Sequence, residues 1–295
     1  MGLMDSAPAR LLIDSQCALG EGATWCAASH RFWWTDIEGA RLWRCNPLDG
    51  SSESFDMPER LACFAPCADT RFLLLGLASR LAFHEIATGR IDTLMEVEAG
   101  LPTRLNDGRC DRDGRFVFGT KHDVEDAQAV GGFYRLNQDL SLERLPLEAC
   151  AISNSIGFAP DGKTLYYCDS PTRQIRACNY PDFTDDRVFV ELTDMTGVPD
   201  GSIVDADGGL WNAQWGGARV VRYGPDGRET ARIDVPTTQP SCAAFGGEDF
   251  ATLFVTSARI GLDDDALRRD AHAGGVFVAT PGVRGLAETA FAGRA

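Results

Sequence analysis

The chain of 295 residues allows two domains of average size or one large all-β unit. Its 28 Lys and Arg against 43 Asp and Glu give a net charge of −15, which repels phosphate backbones and anionic lipid surfaces and so excludes a chain-wide nucleic-acid or membrane interface. The composition, 44% hydrophobic and 24% charged, is that of an ordinary globular protein, and no apolar run approaches the roughly 18 residues that a bilayer span needs, so a soluble protein is expected.

From the N-terminus, residues 1–10 carry an early acid, Asp5, and neither a basic start nor the apolar stretch of a secretion signal. A cytoplasmic protein is expected, with residues 1–10 as a tail and residues 11–295 as one domain. Its ten cysteines are irregularly spaced, the nearest pair being Cys63 and Cys67, which reads as reduced and mostly buried thiols rather than disulfides or a metal cluster.

A repeat then runs through the chain. An aromatic or β-branched strand recurs at residues 31–36, 72–76, 115–120, 164–169, 210–215 and 252–257. Turn chemistry precedes each copy, most plainly Asp111-Arg112-Asp113-Gly114, Pro160-Asp161-Gly162 and Asp205-Ala206-Asp207-Gly208. A second strand follows each time, as in residues 41–44, 132–136 and 220–223. The period of about 40–48 residues is that of a four-stranded blade, and six copies predict an all-β, six-bladed β-propeller. The last blade is expected to be completed by Leu11-Leu12-Ile13 and Ala290-Phe291.

The innermost strand of each blade should run along the central channel just before its turn. Counting seven residues back from the turns reaches Glu21, Asn106, Asn154, Asp200 and Ser241, with Ala62 or Cys63 in the second repeat. This predicts a ring of two carboxylates and two amides at one channel mouth. Such an oxygen-rich ring suits a hard divalent cation or a chain of trapped water equally well. Glycines flank several members, as in Gly20-Glu21-Gly22 and Asp200-Gly201, which marks close backbone approach or a bulge.

Gly157 to Thr164 fits the phosphate-loop pattern G-x-x-x-x-G-K-[ST], but a strand follows where that mechanism needs a helix N-terminus, so a blade turn is expected. His30, His84 and His272 fall near turns or on blade strands. His122 follows Gly119-Thr120 directly after a blade strand, where a loop could overhang the channel, and is a candidate substrate contact.

Several strings together resemble the gluconolactonase and senescence-marker-protein (regucalcin) family of sugar lactonases. They are Leu19-Gly20-Glu21-Gly22 with Trp25, Arg104-Leu105-Asn106-Asp107-Gly108, Ser153-Asn154-Ser155, and Pro199-Asp200-Gly201 with Trp215-Gly216-Gly217. The resemblance implies one divalent metal held by Glu21, Asn154 and Asp200, with Arg104 and Asn106 on the sugar hydroxyls. The chain departs from the family at Lys121-His122 and Ser155-Ile156, and Asp123, Glu125 and Asp126 all qualify as the acidic loop residue.

Lactone hydrolysis needs a polarised carbonyl, an activated water and a stabilised oxyanion. One divalent ion supports all three, and an Asp/Glu/Asn shell accepts Ca2+, Mg2+, Mn2+, Zn2+ or Fe2+. Asp200 is the candidate general base. The expected function is hydrolysis of a pentono- or hexonolactone to its aldonic acid. A Ca2+-binding propeller without activity, or a promiscuous esterase or phosphotriesterase, are the alternatives.

Overall fold

The computed structural model describes residues 4, 5, 7–193 and 195–294. It is a six-bladed β-propeller. The inner strands are Gly20–Cys26, Leu61–Pro66, Thr103–Cys110, Ser153–Phe158, Val198–Val204 and Pro240–Gly246, and each opens a sheet of four or five strands. Each inner strand touches those of both neighbouring blades, and the sixth touches the first, which closes the ring.

Turn chemistry explains the blades. In the third and fifth, Asp111 and Asp205 accept hydrogen bonds from the backbone amides of Asp113 and Arg115 and of Asp207 and Gly209, so one carboxylate folds each hairpin. Gly114 takes the positive φ, 81°, that the tight turn requires. The phosphate-loop pattern is such a turn, joining Ser153–Phe158 to the antiparallel strand Thr164–Asp169 with no helix after it.

The apolar side chains fill the gaps between blades. Six buried clusters occur among the described residues, each shared by two adjacent blades, and the one between the sixth and first stacks Phe254 on Phe32 at 4.5 Å. All ten cysteines are free, nine of them buried, and burial pushes thiols such as Cys45 and Cys67 up to about 12. No helix among the described residues is long and apolar enough to cross a membrane.

The sixth blade closes as expected on one side and differently on the other. Arg10–Ile13 pairs antiparallel with Val276–Ala279 and supplies the outermost strand. Ala290-Phe291 does not join that blade. Residues 284–294 instead cross the turn end of the channel, with Phe291 hydrogen-bonded to Pro66 and Ala68, Ala292 to Gly114 and Arg284 to Ala206. The fourth-strand position is already filled, and fully buried Phe291 gains more by entering the cluster between blades two and three. Of the expected tail, residues 1–3 and 6 lie outside the described residues, while Met4–Asp5 runs parallel to Ala231 and Arg232 at the edge of the fifth blade.

Candidate active site

At the end opposite the turns, all six inner strands carry a β-bulge at the station reached by counting. The register slips between Glu21 and Thr24, Leu61 and Cys63, Leu105 and Gly108, Asn154 and Gly157, Pro199 and Ser202, and Pro240 and Ala243. A bulge re-aims the side chains beside it, here into the channel mouth. Glycine at position 201 is required by the ring's crowding, since a Cβ there would lie 2.6–2.9 Å from Cys242 of the next blade.

Above the bulges lies a cavity of about 280 Å3 lined by Glu21, Arg104, Asn106, Lys121, Asn154 and Asp200, with Glu38 and Trp215 at its side. Five of the six residues that the sequence singled out therefore share one space. His122 is not brought there. It follows Lys121 on the strand Phe116–His122, successive side chains alternate, and its Nδ1 accepts a hydrogen bond from the Gln128 amide at 2.9 Å.

A chain of hydrogen bonds fixes the amides. Arg104 donates to Asn106 Oδ1 at 2.8 Å, Asn106 donates to Asn154 Oδ1 at 3.2 Å, Asn154 donates to Ser170 Oγ at 2.9 Å, and Ser170 donates to the Pro199 carbonyl at 2.7 Å. These bonds fix the flip of the Asn154 amide, with its N–H on Ser170 and its oxygen on the Asn106 side with a lone pair to spare. Ser170 directly follows the strand Thr164–Asp169, and although Asp169-Ser170 belongs to the strings that carry the family resemblance, spacing marks no role for it.

Glu21 and Asp200 are both buried and line the same cavity, close enough for each to perturb the other's charge. Burial, with Asp107 as the next cause, pushes Glu21 up to about 8, and burial together with Glu21 pushes Asp200 well above the carboxylate range. Two desolvated acids beside an oriented amide oxygen form an oxygen-only donor set with an unmet demand for positive charge, which fits a hard divalent cation.

Arg104 is 3% exposed, and its Nε lacks a hydrogen-bond partner. Its nearest carboxylates are Asp123, 3.5 Å from Nε, and Glu38, 3.9 Å from Nη2. Asp123 is also bound by Arg60 through two hydrogen bonds, which holds its carboxyl below the usual range against the opposing effect of burial. Of the three acidic loop candidates, Asp123 is the one that reaches the Arg104 side of the cavity.

The SMP-30/Gluconolactonase/LRE-like family model matches residues 19–259. This chain belongs to that family. It is 58% identical over 289 residues to an L-arabinolactonase of Azospirillum brasilense, covering 97% of this chain and 96% of that protein. It is 33% identical over 292 residues to a 6-deoxy-6-sulfogluconolactonase of Pseudomonas putida, covering 96% and 98%. Among solved structures, a regucalcin of Agrobacterium tumefaciens, described as a calcium-binding protein, superposes with a TM-score of 0.90 at 32% identity over 98% of this chain and 99% of that one. The family's motifs span blades one, three, four and five, the blades that supply the cavity's polar side chains.

Proposed function

We propose that this protein hydrolyses a sugar aldonolactone to its aldonic acid, with a five-carbon lactone such as L-arabinonolactone as the first substrate to try. The observation that carries the reading is that the oxygen donors Glu21, Asn154 and Asp200 line one cavity with the guanidinium of Arg104, which Asn106 holds in place. Near full-length identity of 58% to an L-arabinolactonase supports it. A bound divalent ion would supply Lewis-acid polarisation of the lactone carbonyl and a lower pKa for nearby water.

The chain's own residues do the rest. Arg104 offers Nη2 to ring hydroxyls, Asn106 holds Arg104 and Asn154 in place, and Asp200 takes a proton from the attacking water. The experiment is a panel of aldonolactones followed by acid release, with and without chelator. A protein that binds Ca2+ tightly but hydrolyses none of the panel would sink this reading in favour of a metal-binding role.

Arg104→Ala should cut kcat/KM on a pentonolactone by roughly 10–150-fold, the scale of charged hydrogen bonds worth about 1.5–3 kcal/mol, and much less on an unsubstituted γ-lactone. Equal loss on both at equal metal loading would assign Arg104 to the fold or the metal instead.

The paired acids also predict a pH effect on stability. A carboxyl raised in the folded state contributes stability that is complete below its ordinary value and lost as pH rises through the folded one. Chelated protein should therefore melt at progressively lower temperature between the ordinary 4.5 and about 8, where Glu21 ionises beside Asp200. Adding the metal should remove the slope, and thermal unfolding across that range with and without chelator checks it. A chelated protein with a flat profile would show that water reaches the Glu21 carboxyl in the folded state.

A further inference from the structure

Lys121 pairs in register with Arg104 across the third blade's hairpin and is bridged to Ile152 of the fourth. Both cations therefore face the cavity. Three other charged groups lining it have partners: Glu21 accepts from the Gly22 amide, Glu38 binds Arg60, and Arg104 donates to Asn106. The Lys121 ammonium makes no hydrogen bond or ion pair with any described residue.

That arrangement is costly. An ammonium has three donors to satisfy, here it is half-buried, and a like charge stands directly opposite it on the neighbouring strand. Nothing in the blade's packing needs an ammonium at this point, so the missing acceptor is expected on a ligand. The two cations are not equivalent either. A guanidinium keeps its proton under all working conditions, whereas an ammonium can give one up.

We propose that Lys121 is the general acid of the lactonase reaction, donating its proton to the ring oxygen of the substrate. The proposal rests on the lactonase reading above. In the reaction the water oxygen bonds to the carbonyl carbon while one water proton passes to Asp200. The ring C–O bond then breaks, its electron pair stays on the ring oxygen, and the Lys121 proton moves there to give the free hydroxyl. Lys121 is left as a neutral amine and is recharged by the proton held at Asp200, through water. The second water proton stays on the new carboxylic acid until it ionises. Burial, and next the facing Arg104, lower the hold of Lys121 on its proton, while Asp123 and Glu38 oppose them, so the net direction favours transfer.

The test uses metal-loaded Lys121→Met and Lys121→Arg with three substrates. L-arabinonolactone and δ-valerolactone expel an alkoxide, and dihydrocoumarin expels a phenoxide that leaves without a proton. Both variants should lose roughly 10²–10⁴-fold in kcat on the first two, the range of general acid catalysis, and less than about fivefold on dihydrocoumarin. Loss confined to the sugar lactone would make Lys121 a hydroxyl-binding residue. Equal loss on all three would make it structural, and recovery in Lys121→Arg would show that charge alone suffices. Each of these overturns the proposal. Wild-type protein inactive on all three at full metal loading would instead overturn the lactonase reading itself. Should only the sugar lactone be turned over, its pH profile decides: kcat should fall on the alkaline side in wild type and not in Lys121→Met. An alkaline fall that survives in Lys121→Met overturns the proposal.

Discussion

Asp200→Asn is expected to abolish lactone hydrolysis, by more than about 10³-fold in kcat, in a protein that still folds. The fold has little to lose. Asp200 supports the ring through its backbone carbonyl, which accepts hydrogen bonds from Ser155 Oγ at 2.6 Å and Asn212 Nδ2 at 3.0 Å, and both survive the substitution. The side chain faces Glu21 and carries a charge that burial disfavours. An amide there keeps the volume, removes the proton acceptor and subtracts one negative charge from the cation site. Metal-free Asp200→Asn should therefore be no less stable than metal-free wild type at alkaline pH. Turnover within a few-fold of wild type at matched metal loading would remove Asp200 as the base.

Glu288→Ala is expected to cost about 3–5 kcal/mol of stability while leaving the reaction nearly unchanged in protein that remains folded. Glu288 comes from the segment that crosses the turn end of the channel and binds Arg109, each side chain being 10% exposed. Arg109 also donates to the Ser202 carbonyl at 3.1 Å, and Asp107 lies close enough to raise its pKa together with Glu288. Removing Glu288 strands a guanidinium inside the ring. Arg109→Met with Glu288→Leu, which removes both charges but leaves buried Asp107 without its cation, should recover part of the loss. Urea unfolding of the three variants reads the effect, and a loss below about 1 kcal/mol for Glu288→Ala would show that water reaches Arg109 freely.

Much of this molecule was legible in the order of its residues because a propeller repeats short-range chemistry. The Asp-Gly turns mark hairpins directly, and a turn followed by two strands recurs often enough to count blades. Counting back to the ring worked to within one residue. In the first and fourth blades, Glu21 and Asn154 are the last paired residues before the bulge, whereas Asn106, Asp200 and Ser241 are the first residues inside it. A bulge adds one residue to one strand, so it blurs the spacing by that amount and no more.

Other features depended on contacts that spacing does not encode. Ala290-Phe291 follows no turn and shows no alternation, so nothing local distinguishes an edge strand from a segment crossing the channel floor. His122 and Lys121 are neighbours in the chain and part company only because a strand alternates. The sequence-level resemblance left the substrate-loop acid open among Asp123, Glu125 and Asp126. The choice follows from Arg60 and Arg104, which arrive from the second and third blades.

The pairing of Arg10–Ile13 with Val276–Ala279 has a bearing on how the protein is made. Each of the first five blades gathers its four main strands from a continuous stretch of chain and can zip up while the ribosome is still working. The sixth cannot, because one of its strands emerges early and its neighbour more than 260 residues later. Until Val276 is synthesised, the strand Arg10–Ile13 waits without its partner. The flank of the first blade, with Trp25 and Phe32, lies open to water over the same interval. The seam of the ring is thus also the clock of its assembly, since it closes only when an early strand meets one made more than 260 residues later.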